Sequence, residues 1–158
     1  MRSFLLLALL LAASARAEVP VDPDAVLDAL HARAAAADYA GYVELFTEDA
    51  VFLGTDATER WPMDVFRGYV AARFATGGGW TYVPRERHLA ASADGATIWF
   101  DELLVGERMG PCRGTGVLVR TEAGWRIAHY SLTLLIPNAL AGAVVEQVRA
   151  HEAGAEAP

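Results

Sequence analysis

The sequence predicts an α+β domain in which helices come first, an antiparallel sheet follows, and one more helix closes the chain. Three observations predict it. Up to residue 76 the apolar residues recur at helical spacing; beyond the glycines at 77–79 they alternate. Asp94-Gly95 and Glu122-Ala123-Gly124 then cut the alternating half into hairpins. No repeat, low-complexity block or linker divides the chain.

The elements follow in order. Asp22 is placed to cap a first helix with Pro23 at its first position, and Leu27, Leu30, Ala34 and Ala37 make its stripe. Asp38 caps a second, with Tyr39, Tyr42, Val43 and Phe46 as the apolar face. Residues 50–53 read as a short strand and 54–60 as a polar loop. Trp61-Pro62 restarts a helix whose face is Phe66, Tyr69, Val70 and Phe74, and the three glycines stop it. Four strand-like runs come next, at 80–90, 97–109, 113–121 and 125–135. Asn138 opens a last helix carrying Leu140, Val144, Val148 and His151 on one stripe. One domain is expected over 18–152, with 153–158 as a flexible tail.

The start of the chain speaks to compartment. Arg2, the apolar run from Phe4 to Ala13 and the small residues to Ala17 have the three parts of a signal peptide, 1–17. The run is too short for a mature span, which needs about 20 apolar residues. The expectation is an exported chain, periplasmic or secreted, with no membrane association after cleavage. The net charge is −7, every basic residue is Arg, and the leader would take two of them, Arg2 and Arg16. So acidic a chain is a poor partner for nucleic acid or anionic lipid, which need positive potential. Cys112 is the sole cysteine, which excludes an intrachain disulfide and reads as a small buried hydrophobe.

Residues 38–61 ("DYAGYVELFTEDAVFLGTDATERW"), 80–88 ("WTYVPRERH"), 99–104 ("WFDELL"), 111–119 ("PCRGTGVLV" after Gly110) and 124–138 ("GWRIAHYSLTLLIPN") together resemble the SnoaL-like branch of the nuclear-transport-factor-two-like superfamily. The likeness covers roughly residues 25–140. It implies a cone: a strongly curved antiparallel sheet with the N-terminal helices in its concave face and a pocket at the wide end. It also implies homodimers formed through the convex sheet face. The superfamily holds cyclases, isomerases, dehydratases and binding modules, so fold alone does not give function. The catalytic residues of its enzymes have no residue-by-residue match in this chain.

Alternation then nominates the site. Trp125, Ile127, His129 and Ser131 share one parity on the last strand, which predicts Trp125 and Ile127 in the core and His129 and Ser131 in the cavity. One of Asp101 and Glu102 must face inward, and Arg113 on the next strand is its expected counter-ion. Only one of Arg87 and His88 can do so. Glu59 and Trp61 sit where they could close the mouth, although Trp61 before Pro62 equally fits a hydrophobic staple. The ligand-binding set is Trp61, His88, Trp99, Arg113, His129 and Ser131; the candidate bases are His129, Asp101 and Glu102. His31 and His151 are expected on solvent faces. No metal or cofactor is expected, because no ligand spacing such as H-E-x-x-H occurs.

Three functions fit these residues. The first is binding of a small, partly apolar molecule in the cone. The second is an isomerase, cyclase or dehydratase with His129 or an acid at 101–102 as general base. The third is a structural dimerisation module whose cone is filled by its own side chains.

Overall fold

The computed structural model describes residues 22–155, so the signal peptide expected at 1–17 lies outside the described residues. Four helices and six strands form, the helices mostly before the glycines and the meander after them. They are α1 (Pro23–Ala35), α2 (Tyr39–Glu44), β1 (Phe46–Leu53), β2 (Arg60–Pro62), α3 (Met63–Ala75), β3 (Tyr82–Ala91), β4 (Thr97–Gly106), β5 (Gly110–Thr121), β6 (Gly124–Leu134) and α4 (Asn138–Ala155). Asp22 accepts from the Asp24 amide and Asp38 from the Gly41 amide, so both expected caps form. Gly77, with φ 74°, follows the end of α3 in a conformation that favours glycine.

The strands make one sheet in the order β2-β1-β6-β5-β4-β3. Strands β3 to β6 form the antiparallel meander, while β1 joins β6 in parallel. Helices α1 to α3 pack on one face of this curved sheet and bury Leu27, Tyr42, Phe66 and Val70 against Phe100, Leu118 and Ile127. Cys112 belongs to this core and is fully buried; burial pushes its thiol upward, away from thiolate.

Several boundaries differ from the periodic reading. Phe46 leaves the second helix and begins β1, because α2 ends at Glu44. Trp61 and Pro62 lie in the short strand β2, and α3 starts at Met63. Trp61 nonetheless stacks on Phe66, four positions into that helix, so the staple geometry is present. Residues 153–155 continue α4 as helix.

The difference with the largest consequence lies in β6. Its pairing with β5 runs His129 opposite Val117 but Ile127 opposite Leu118, which leaves Ala128 without a partner. One extra residue in a strand is a β-bulge, and it reverses the side to which all later residues point. Trp125 and Ile127 face the helices as expected. Beyond Ala128 the buried residues are Tyr130 and Leu132.

Candidate functional site

Between the helices and the concave sheet face lies an open-mouthed cavity of about 470 Å³. The cone is therefore not filled by its own side chains. One wall is a run of near-parallel rings. Phe52 stacks on Phe66 at 4.3 Å between centroids, Trp61 on Tyr69 at 4.5 Å, and Phe52 on Tyr130 at 5.3 Å. These come from β1, β2, α3 and β6, whose registers set Phe52 between Trp61 and Tyr130. Across from them, Trp80 meets Tyr42 edge-on. Glu59, Arg73, Glu107 and Arg108 complete the lining with charge.

The floor is polar and is built on one carboxylate. Alternation along β4 sends Phe100, Glu102 and Leu104 to the helix face, and Glu102 ends fully buried. A buried charge without partners would cost several kcal/mol. Glu102 has them on both oxygens. Arg87 on β3, directly opposite in register, reaches Oε2 with Nε at 3.0 Å and its terminal nitrogen at 3.0 Å. His31 Nε2 lies 2.8 Å from Oε1, and the Tyr130 hydroxyl donates to the same oxygen at 3.1 Å. Arg87 then continues outward to Asp24 at 3.1 Å and Asp28 at 2.9 Å, both on α1. The guanidinium thereby ties the first helix to the sheet. Burial would lower the Arg87 pKa, but Glu102 and the two aspartates outweigh it and raise the value, keeping the charge. Burial, followed by the adjacent Glu102 charge, holds the Tyr130 phenol well above its ordinary range.

The glycines of β5 make room for this floor. Gly114 pairs with Glu102 and Gly116 with Phe100. A Cβ at 114 would collide with the Tyr130 hydroxyl and stand 3.0 Å from Glu102 Oε1; one at 116 would collide with the backbone carbonyl of His129 and press into Phe100. The "GTG" of residues 114–116 thus makes room for the Tyr130 and Phe100 side chains and for the close backbone of β6.

Of the residues nominated from sequence, Trp61 lines the cavity and Glu102 forms the base of its floor. The others lie elsewhere. His129 and Ser131 fall on the opposite sheet face, because the bulge at Ala128 shifts the parity that pointed them inward. Asp101, one residue from Glu102, necessarily faces away, where His88 stands 3.4 Å from it and 3.1 Å from Glu86. His88 therefore yields the inward position to Arg87. Trp99 shares the parity of Asp101 and is 52% exposed. Arg113 pairs with Leu103 on that same outer face and is exposed, so Arg87 replaces it as the counter-ion.

His31 is the clearest omission. It was expected in solvent, yet it is 9% exposed and bound to Glu102. It stands four residues after Leu27 and three before Ala34, so it shares the apolar stripe of α1. That spacing was the available signal. Tyr130 was hidden by the bulge, which alternation does not reveal. His151 is exposed on α4. Among the described residues no three His, Cys, Asp or Glu side chains are grouped to hold a metal ion.

A cone-shaped α+β fold with an aromatic-walled cavity over a polar floor defines the class of protein. Within it, the family described as the SnoaL-like domain matches residues 24–137, and the chain belongs to that family. No curated protein matches the chain. Solved structures share the fold at low identity. A candidate aromatic-ring hydroxylase from Novosphingobium aromaticivorans is 21% identical over 72% of this chain and 87% of its own, with a TM-score of 0.62. An NTF2-like protein of unknown function from Pseudomonas putida is 10% identical over 73% and 85%, TM-score 0.61. A candidate dehydratase of the NTF2-like family from Streptomyces avermitilis is 13% identical over 72% and 94%, TM-score 0.61.

Proposed function

We propose that this SnoaL-like domain binds a small, partly apolar ring compound in its cone, and that no catalysis is needed to account for the site. The observation that carries the reading is the cavity of about 470 Å³, with stacked rings on one side and a hydrogen-bonded polar cluster beneath. Ligand sites of this size are typically apolar with a few placed polar groups. Thermal-shift screening of small aromatic and alicyclic compounds tests it. At a free concentration 100 times Kd, a ligand of the native state adds about 2.7 kcal/mol of stability. A panel that moves the melting temperature nowhere would overturn the reading.

A second reading rests on one contact. Glu102 is a poor base because Arg87 occupies one of its oxygens, but the same carboxylate holds His31 at 2.8 Å and so orients the imidazole at the cavity floor. An isomerase or dehydratase would use His31 as its base, with Tyr130 beside it. Turnover that follows one ionisation and disappears in His31→Gln, with binding retained, would favour this reading.

Two further properties belong to the proposal. The chain is exported, and an intact mass lacking residues 1–17 checks that. It dimerises through the outer sheet face, where Val83, Trp99 and Val105 are exposed. Light scattering of Trp99→Glu against the native chain checks the second.

A further inference from the structure

The floor of the cavity has a direction as well as a location, because its protons can be followed one by one. Tyr130 spends its hydroxyl proton on Glu102 Oε1. His31 faces that same oxygen through Nε2, and a carboxylate can only accept, so the Nε2 proton is spent there too. Arg87 directs its Nε proton to Glu102 Oε2, and its NH1 donates to Asp24 and Asp28. These donors point at protein acceptors and away from the cavity, while the other terminal nitrogen of Arg87 is buried at 3.0 Å from Glu102 Oε2 in the ion pair, without a hydrogen bond among the described residues. The hydroxyl oxygen of Tyr130 keeps its lone pairs, and Tyr130 lines the cavity. At that point the wall accepts hydrogen bonds and offers none. This is the reverse of an oxyanion-type floor, whose donors face the ligand.

The remaining tyrosines sharpen the contrast. Tyr82 donates to Met109 Sδ at 3.2 Å. Tyr42 lines the cavity at 1% exposure, and its hydroxyl has no hydrogen-bond partner among the described residues. It is the one cavity tyrosine, apart from exposed Tyr69, whose proton is not committed.

We propose that the ligand is a flat hydroxyaryl compound, a phenol or a stable enol, whose O–H donates to the Tyr130 oxygen while its ring lies along the Trp61–Tyr69 wall. The inference rests on the binding function above and narrows it to a ligand class. A ring whose only polar group is an acceptor would place its oxygen against lone pairs that no proton bridges. Tyr42 remains available to a carbonyl or second oxygen elsewhere on the same ring.

The test compares compounds of nearly equal shape on the full chain. Binding of 2-naphthol, 2-methoxynaphthalene and naphthalene is titrated by calorimetry, on the native protein and on Tyr130→Phe and Tyr42→Phe. The native protein is expected to prefer 2-naphthol over its methyl ether by about tenfold, the worth of one made against one unsatisfied hydrogen bond. That preference is expected to vanish in Tyr130→Phe and persist in Tyr42→Phe. Equal or tighter binding of the methyl ether to the native protein overturns the inference and leaves the binding function standing. A preference that survives Tyr130→Phe also overturns it. Failure of all three compounds to bind overturns both. The native comparison decides the matter even where a variant does not fold.

Discussion

Glu102 sits where three separate elements deliver donors to a single carboxylate: α1 through His31, β3 through Arg87 and β6 through Tyr130. The arrangement makes the residue costly to alter. Glu102→Gln removes the charge that Arg87 opposes and turns an acceptor into a donor facing other donors. Urea denaturation is expected to show a loss of about 3 to 5 kcal/mol, the usual result of breaking a buried ion pair; a loss below 1 kcal/mol would mean the cluster is solvated. Gly114 is tied to the same group by space. Gly114→Ala would press on the Tyr130 hydroxyl and is expected to cost about 1 to 3 kcal/mol as overpacking. In a Tyr130→Phe background that cost should shrink, since the crowding oxygen is gone, and a double-mutant cycle reads the difference. Strict additivity would show that the two residues do not share the space.

At the scale of the element, β6 decides what the cavity sees. The single unpaired residue Ala128 exchanges His129 and Ser131 for Tyr130 and Leu132 on the concave face. His129→Ala is accordingly expected to leave every ligand response unchanged, by the same thermal-shift assay that finds the ligand; a lost response would put the imidazole back in the site. The episode also shows what was legible. Helices, hairpin turns and the inward Trp125 and Ile127 follow from periodicity and turn chemistry, because those are local. An inward acid at 101–102 needing a cation was equally legible, since any strand must choose one of two neighbours. The choice itself was not: which of the pair turns in, and whether Arg87 or Arg113 meets it, depends on bulges and register that no local pattern encodes. His31 was readable from its place on the α1 stripe. The burial of a histidine there becomes chemically sensible only once a carboxylate on a strand 71 residues later is known to face it.

At the scale of the whole molecule, the tyrosines link stability to alkaline pH. Burial, chiefly, raises the Tyr42, Tyr82 and Tyr130 phenols, Tyr82 to about 12 and the other two well above their ordinary range. A raised folded-state pKa means the native chain holds protons that the unfolded chain releases near pH 10. Stability is then fully present below pH 10 and falls as the pH climbs towards 12 and beyond. Thermal melts from pH 8.5 to 12 are expected to stay level and then decline, with a shallower decline in Tyr82→Phe; a flat profile to pH 12 would show the phenols to be solvated. The family match ends at residue 137, and α4 contributes no residue to the core. Its Leu140, Val145 and Val148 are exposed.

The most direct test of a ligand cavity set by the Ala128 bulge is a crystal structure of the protein soaked in 2-naphthol. The expected density is a ring against Trp61 and Tyr69 with its oxygen at hydrogen-bond distance from Tyr130. An empty cone, or a ring held on the outer face beside His129 and Ser131, would contradict it.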